Sequence, residues 1–244
     1  MRNLLFEISY NGSRYHGWQV QQNAITVQQV VQDSIERLFQ KRLDISGCSR
    51  TDTGVHANQY FFHMKTESKI PCNNIQRAMN TSLPDDIVVL GCSEAPLDFH
   101  ARYSCTGKEY VYQIWNAEYG NPFLQDMVYH YRYPLRIERI QQAMQYLLGT
   151  HDFSAFCALH TDVEDKTRTI FDARVEQEGN LIKLVFRGDG FLYNMVRIMV
   201  GTLLFVSEGK IQPEQIPEII QKKDRSLAGK TAPARGLYLN RIFY

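Results

Sequence analysis

Two spacings of apolar residues alternate along this chain, and their order restricts the fold more than composition does. Asn3 to Tyr10 puts Leu4, Phe6, Ile8 and Tyr10 on one face at a period of two, the spacing of a half-buried strand. Thr26-Val27-Gln28-Gln29 then has the form of a capping box, and Val27, Val30, Val31, Ile35, Leu38 and Phe39 follow at helical spacing. Short strands at about 43–48 and 57–64, a helix from Pro71 to about Ser82 and a strand from Ile87 to Leu90 complete the order β-α-β-β-α-β. The second half repeats this as a pattern, without residue identity. A strand at 106–115 leads to a helix with Ile137, Ile140, Ala143, Met144, Leu147 and Leu148 inward, stopped by Gly149. Strands near 169–177 and 181–187, a long helix over about 191–206, a helix after Pro213 and a closing strand at 237–243 follow. The chain therefore reads as α+β, two tandem ferredoxin-like (split β-α-β) halves with abutting antiparallel or mixed sheets, helices behind and an open face in front. Residues 94–105 are the best boundary, giving halves 1–100 and 101–244.

At 244 residues and 44% hydrophobic content such a chain can bury a core without staples. Five cysteines, at 48, 72, 92, 105 and 157, never approach a Cys-x-x-Cys spacing and leave one unpaired in any disulfide scheme, which suits a reducing cytosol. The histidines are equally scattered, so no metal is expected. The N-terminus meets Glu7 too early for the apolar core of a signal peptide. The most apolar stretch, Phe191 to Ser207, contains Arg197 and falls short of the ~20 residues that span a bilayer. A net charge of +1 does not announce a nucleic-acid binder, so an RNA ligand would have to be met by local charge. Arg50, Arg102, Lys108, Lys41-Arg42, Lys65, Lys69 and Lys222-Lys223 each read singly as solvated surface charge, and only their convergence on one cleft would mean RNA.

The chemistry-bearing segment is Ser49-Arg50-Thr51-Asp52-Thr53-Gly54-Val55-His56-Ala57, which sets one acid in a polar turn between two strands. Asp52 is either a turn former bonding its local backbone or a working carboxylate held by scaffold on both sides. Asp52-Thr53-Gly54 also matches the triplet of aspartic proteases. Those enzymes need two carboxylates sharing a proton, whereas the triplet occurs once here and follows Arg50, a cation that favours full ionisation.

The longer string resembles Gly-Arg-Thr-Asp-Ala-Gly-Val-His-Ala, the catalytic loop of the tRNA pseudouridine synthase A family, with Ser49 and Thr53 as small-for-small departures. The resemblance continues through Tyr15-His16-Gly17-Trp18-Gln19, Asp98-Phe99-His100-Ala101-Arg102, Lys108-Glu109-Tyr110-Val111-Tyr112, Gly190-Phe191-Leu192-Tyr193-Asn194-Met195-Val196-Arg197 and Ala232-Pro233-Ala234-Arg235-Gly236-Leu237-Tyr238-Leu239. It implies an isomerase that turns uridine into pseudouridine at positions 38 to 40 of the tRNA anticodon arm. It also implies an RNA-binding cleft between two similar halves, a cytoplasmic homodimer and no cofactor.

By the same resemblance Asp52 is the essential carboxylate, acting as nucleophile, electrostatic partner or proton acceptor during glycosidic cleavage. An aspartyl-sugar adduct and a glycal route are both open to it. Tyr110, a cross-strand filler on strand chemistry alone, is implied to stack on the flipped uracil and relay the proton lost from carbon 5. Arg50 is an RNA contact or a turn partner, and His56 an RNA contact or a cap on the adjoining strand. Tyr15 and Trp18 are rim contacts or packing. Arg197, alone among apolar neighbours on its helix, needs a partner; Asp189 and Glu208 lie beyond the three or four residues at which helix side chains meet. Asp52 is the better candidate, and the family pattern places an arginine of this helix against the catalytic acid. A non-catalytic RNA-binding protein on the same sheets is the rival reading; it would bind RNA without needing Asp52.

Overall fold

In the computed structural model, which describes residues 1–159 and 163–244, the alternating start of the chain forms β1 (Arg2–Tyr10), with Leu4, Phe6, Ile8 and Tyr10 buried. Thr26 serves as the N-cap, the half of the expected capping box that is seen: its Oγ1 accepts the Gln29 N–H at 3.3 Å and opens α1 (Val27–Phe39), which buries Val27, Val31 and Ile35. Then come β2 (Ile45–Gly47), β3 (His56–Thr66), α2 (Cys72–Ser82) and β4 (Ile87–Ala95). The fold is mixed α+β and divides into two units, residues 1–106 with 238–244, and residues 107–237.

In the first unit β1 lies antiparallel between β4 and β3. Two strands share the far edge of β3. β2 pairs antiparallel with Phe62, His63 and Met64, while the closing strand, β10 (Leu237–Phe243), pairs parallel with His56 and Ala57. Phe6 stacks on Phe62 at 4.7 Å and Trp18 on Tyr60 at 4.2 Å, contacts worth ~1 kcal/mol each beyond the area they bury.

His63 supplies a pH-sensitive contact here. Its Nδ1 accepts the Ala101 N–H at 3.1 Å, and burial, with His100 beside it, holds the imidazole below its usual pKa. A histidine depressed in the folded state binds its proton more readily when unfolded. Its contribution is therefore complete above about pH 6.5 and lost as pH falls through the folded value. Thermal melting should drop as pH falls below about 6.5, and His63→Gln should flatten that dependence. An unchanged slope in the variant would assign it to other groups.

The second unit carries β5 (Gly107–Trp115), β6 (Tyr129–His130), α3 (Ile137–Gln145), β7 (Gly149–Asp152), β8 (Thr167–Glu178), β9 (Leu181–Gly188), α4 (Met195–Glu208) and α5 (Ile216–Lys222). β5, β9, β8 and β7 pair antiparallel in that order, and β6 lies parallel to β5. α4 buries residues on nearly every side, from Met195 and Val196 through Leu203 and Val206. It meets the 228–232 segment through paired glycines. A Cβ on Gly201 would overlap the Lys230 carbonyl, one on Gly229 would overlap the Gly201 backbone, and Thr202 Oγ1 accepts the Gly229 N–H at 2.8 Å.

Several boundaries differ from expectation. α3 stops at Gln145, because Tyr146, Leu147 and Leu148 turn tightly back onto Ala143, Met144 and Gln145 and drop Leu147 into the core. Gly149, at φ +96°, then begins a strand that apolar spacing does not signal. α4 starts four residues after Phe191, behind Asn194 in the left-handed region at φ +60°. The order strand, helix, two strands, helix, strand holds for residues 1–95; the second unit has additional short strands. Among the described residues no helix is long and apolar enough to cross a membrane.

Candidate active site

The segment between β2 and β3 is held mainly through its backbone. Cys48 is buried and its N–H bonds the Phe61 carbonyl at 2.8 Å. Tyr60 donates its hydroxyl to the Ser49 carbonyl at 2.5 Å, and Thr51 Oγ1 lies 2.7 Å from the buried Tyr10 hydroxyl. The Val55 N–H then closes onto the Asp52 carbonyl at 3.1 Å, with Gly54 at φ +76° in the third position of the turn, where positive φ favours glycine. Asp52 is left half-buried at the head of this turn, and Arg50 is exposed beside it.

A second strap, residues 11–18, grips the turn from the other side. Trp18 N–H bonds the Thr51 carbonyl and Gly54 N–H bonds the Tyr15 carbonyl, each at 3.1 Å. Such close backbone approach needs the two glycines of the strap. A Cβ on Gly12 would overlap the Val55 carbonyl oxygen, and one on Gly17, itself at φ +78°, the Thr51 carbonyl oxygen. Asp86 anchors the strap in turn: the Tyr15 hydroxyl donates to its Oδ1 at 2.6 Å and Arg14 Nε sits 2.9 Å from its Oδ2. Burial and then Asp86 push the Tyr15 phenol up to about 12, so it remains a donor.

Gly17→Ala should therefore lower kcat roughly tenfold to a hundredfold, since a misplacement of about 1 Å at a reacting group costs that much, with KM for substrate little changed. Gly179, also at positive φ but with nothing within 4 Å, is the control whose alanine variant should stay active. Equal activity of the two variants would uncouple the strap from the site.

Tyr15 and Trp18 are thus packing residues, 4% and 3% exposed, and not a rim. His56 is likewise enclosed: it is 1% exposed, its Nδ1 accepts the Gly12 N–H at 3.1 Å, and its ring stacks on Tyr238 at 4.6 Å. Of the two roles expected for His56, RNA contact or a cap on the adjoining strand, this burial fits the second and not the first. Arg102 is exposed, its guanidinium 5.9 Å from the Tyr103 ring centre.

Lys108, Tyr110 and Arg197 belong to the second unit. Lys108 is half-buried opposite Gly188, and Tyr110 is buried opposite Phe186 with Phe191 edge-on at 5.1 Å. Tyr112, on the same face of β5, donates to the Pro233 carbonyl at 2.7 Å, and burial raises its pKa. Arg197 lies in the first turn of α4 and is half-buried. Its Nε donates to the Ala232 carbonyl at 2.8 Å and its Nη1 to Asn194 Oδ1 at 2.7 Å, while its own carbonyl accepts the Ala232 N–H. These neutral partners fix the plane of the guanidinium. Asp189 and Glu208 are committed elsewhere, to the Thr169 N–H and to Tyr131 with Lys210.

No positioning role was expected for Gly12, Tyr60, Asp86 or Asn194. Of these only Asn194 had a usable signal, an asparagine three residues before Arg197 where a left-handed cap is allowed. Among the described residues no group of three or more His, Cys, Asp or Glu is placed to hold a metal.

The sequence pattern that defines the tRNA pseudouridine synthases matches residues 8–104 and 143–244. The chain is 45% identical to the tRNA pseudouridine synthase A of a Thermoanaerobacter species and 46% identical to that of Acetivibrio thermocellus, each over the full length of both chains. It is 42% identical to the Staphylococcus saprophyticus protein of that name over 98% of this chain and 90% of the other. A chain of a crystallised Cbf5-Nop10-Gar1 complex overlays 96% of this one and 57% of its own length at 11% identity and a TM-score of 0.35, too remote to bear on the fold. The chain belongs to the tRNA pseudouridine synthase family, and its relatives named tRNA pseudouridine synthase A are isomerases.

Proposed function

We propose that this chain isomerises uridine to pseudouridine at positions 38 to 40 of the tRNA anticodon arm, with the Asp52 carboxylate as its essential group. The observation that carries the reading is the double strap on the 48–55 segment, which spends two close-packed glycines and a buried tyrosine on holding one half-buried acid at the head of a turn. A mere turn former does not require that scaffold.

In this reading the two units are tandem split β-α-β halves whose sheets abut and enclose an RNA-binding cleft, and the enzyme works as a cytoplasmic homodimer without a cofactor. Leaving the stack costs the target uridine a few kcal/mol, which aromatic and cationic contacts offset. Asp52, ionised, meets the ribose during cleavage of the glycosidic bond. Tyr110 stacks on the freed uracil and relays the carbon 5 proton once the base has turned. Arg197 pairs with Asp52 and keeps it charged and aimed. Arg50, Arg102 and Lys108 meet phosphates, contacts that position the RNA without reading its sequence.

The test is incubation with an unmodified tRNA transcript followed by carbodiimide treatment and primer extension. Stops at positions 38 to 40 are expected. Tight tRNA binding with no stop in the anticodon arm would replace this reading with a binding protein.

A further inference from the structure

α2 lies against the outer edge of β4 in a register that brings two cysteines together. Asn80 both donates to the Val89 carbonyl and accepts the Val89 N–H, at 2.9 and 2.7 Å. Gln76, one turn earlier on the same helix face, donates to the Leu90 carbonyl at 2.9 Å and to that of Val89 at 3.2 Å. Cys72 is the next residue of that stripe and the first of α2. Four helix residues advance about 6 Å and two strand residues about 6.6 Å. Cys72 therefore comes level with residue 92, which is Cys92. Arg2 closes the cluster from β1: its Nη2 donates to Cys72 Sγ at 3.6 Å and to Glu94 Oε1 at 2.8 Å, with Glu94 two residues along β4 from Cys92 on the same face. Burial, followed by a hydrogen bond with Cys72, raises the Cys92 thiol. Both side chains are half-buried, within reach of a small reagent.

We propose that Cys72 and Cys92 are a reversible dithiol–disulfide pair, a modification site for low-molecular-weight disulfides that clips the first turn of α2 to the edge strand. The Cys72 thiolate, with the Arg2 guanidinium beside it, attacks the reagent disulfide and expels one reagent thiol, leaving a mixed disulfide on Cys72. Cys92 then loses its proton to solvent and attacks the Cys72 sulfur, expelling the second reagent thiol. One disulfide is consumed, one is formed, and two reagent thiols are released.

Oxidised glutathione applied to the folded full-length chain tests this by intact mass and peptide mapping. The expected result is loss of two hydrogens, a single cross-link between the peptides holding residues 72 and 92, and full reversal by dithiothreitol. Cys92→Ser should instead accumulate glutathione on Cys72 with no cross-link. Free Cys72 and Cys92 after treatment, a stable glutathione adduct on the wild-type chain, or a cross-link involving Cys48, Cys105 or Cys157 would each overturn the proposal.

Discussion

Asp52→Asn should abolish turnover, by at least about a thousandfold, while leaving the fold and tRNA affinity close to wild type. The asymmetry follows from how the loop is built. Its anchors include the carbonyls of Ser49, Thr51 and Asp52, the N–H groups of Cys48, Gly54 and Val55, and the Thr51 hydroxyl, none of which the substitution removes. Asparagine keeps the size of the side chain and discards its charge, which is what the proposed chemistry at the ribose uses. The comparison to make is kcat/KM on a tRNA transcript beside filter-binding affinity and thermal melting. Turnover within tenfold of wild type would move the chemistry to another residue.

Arg197→Met should be about as damaging, and Arg197→Lys should keep a little activity because charge survives without the planar fork. Methionine also gives up the bonds to the Ala232 carbonyl and Asn194, a local loss of about 1–3 kcal/mol that melting will report separately. The informative variant is the double one. If Arg197 acts through Asp52, Asp52→Asn with Arg197→Met should be no slower than either single change, whereas independent roles would multiply the losses. Multiplied losses, or an active Arg197→Met enzyme, would dissolve the pairing.

Elements with a strong period were legible from sequence: β1, with Leu4, Phe6, Ile8 and Tyr10 turned inward, and α1 behind its Thr26 cap. β6 and β7 were not. A strand of two or four residues is specified by a neighbour's free edge, here β5 and β8, and carries too few side chains to show a period. The Asp52 segment was visible because polar turn residues between strands are a local signal. What holds it was hidden, since Gly12, Gly17, Tyr60 and Asp86 act through contacts between residues remote in sequence. Tyr15 and Trp18 show the same limit: nothing in their spacing separates an exposed aromatic from one packed under a loop. For Arg197, spacing along the helix excluded Asp189 and Glu208, but the bond to the Ala232 carbonyl comes from a segment 35 residues away.

The most direct measurement is tritium release from a tRNA transcript labelled at carbon 5 of uridine, since only rearrangement to the carbon glycoside frees that hydrogen. Wild-type protein should release tritium from the anticodon arm, and Asp52→Asn, at matched tRNA occupancy, should release none above background. Comparable release by both proteins, or none by a wild-type protein that binds the tRNA, would contradict an isomerase built around Asp52.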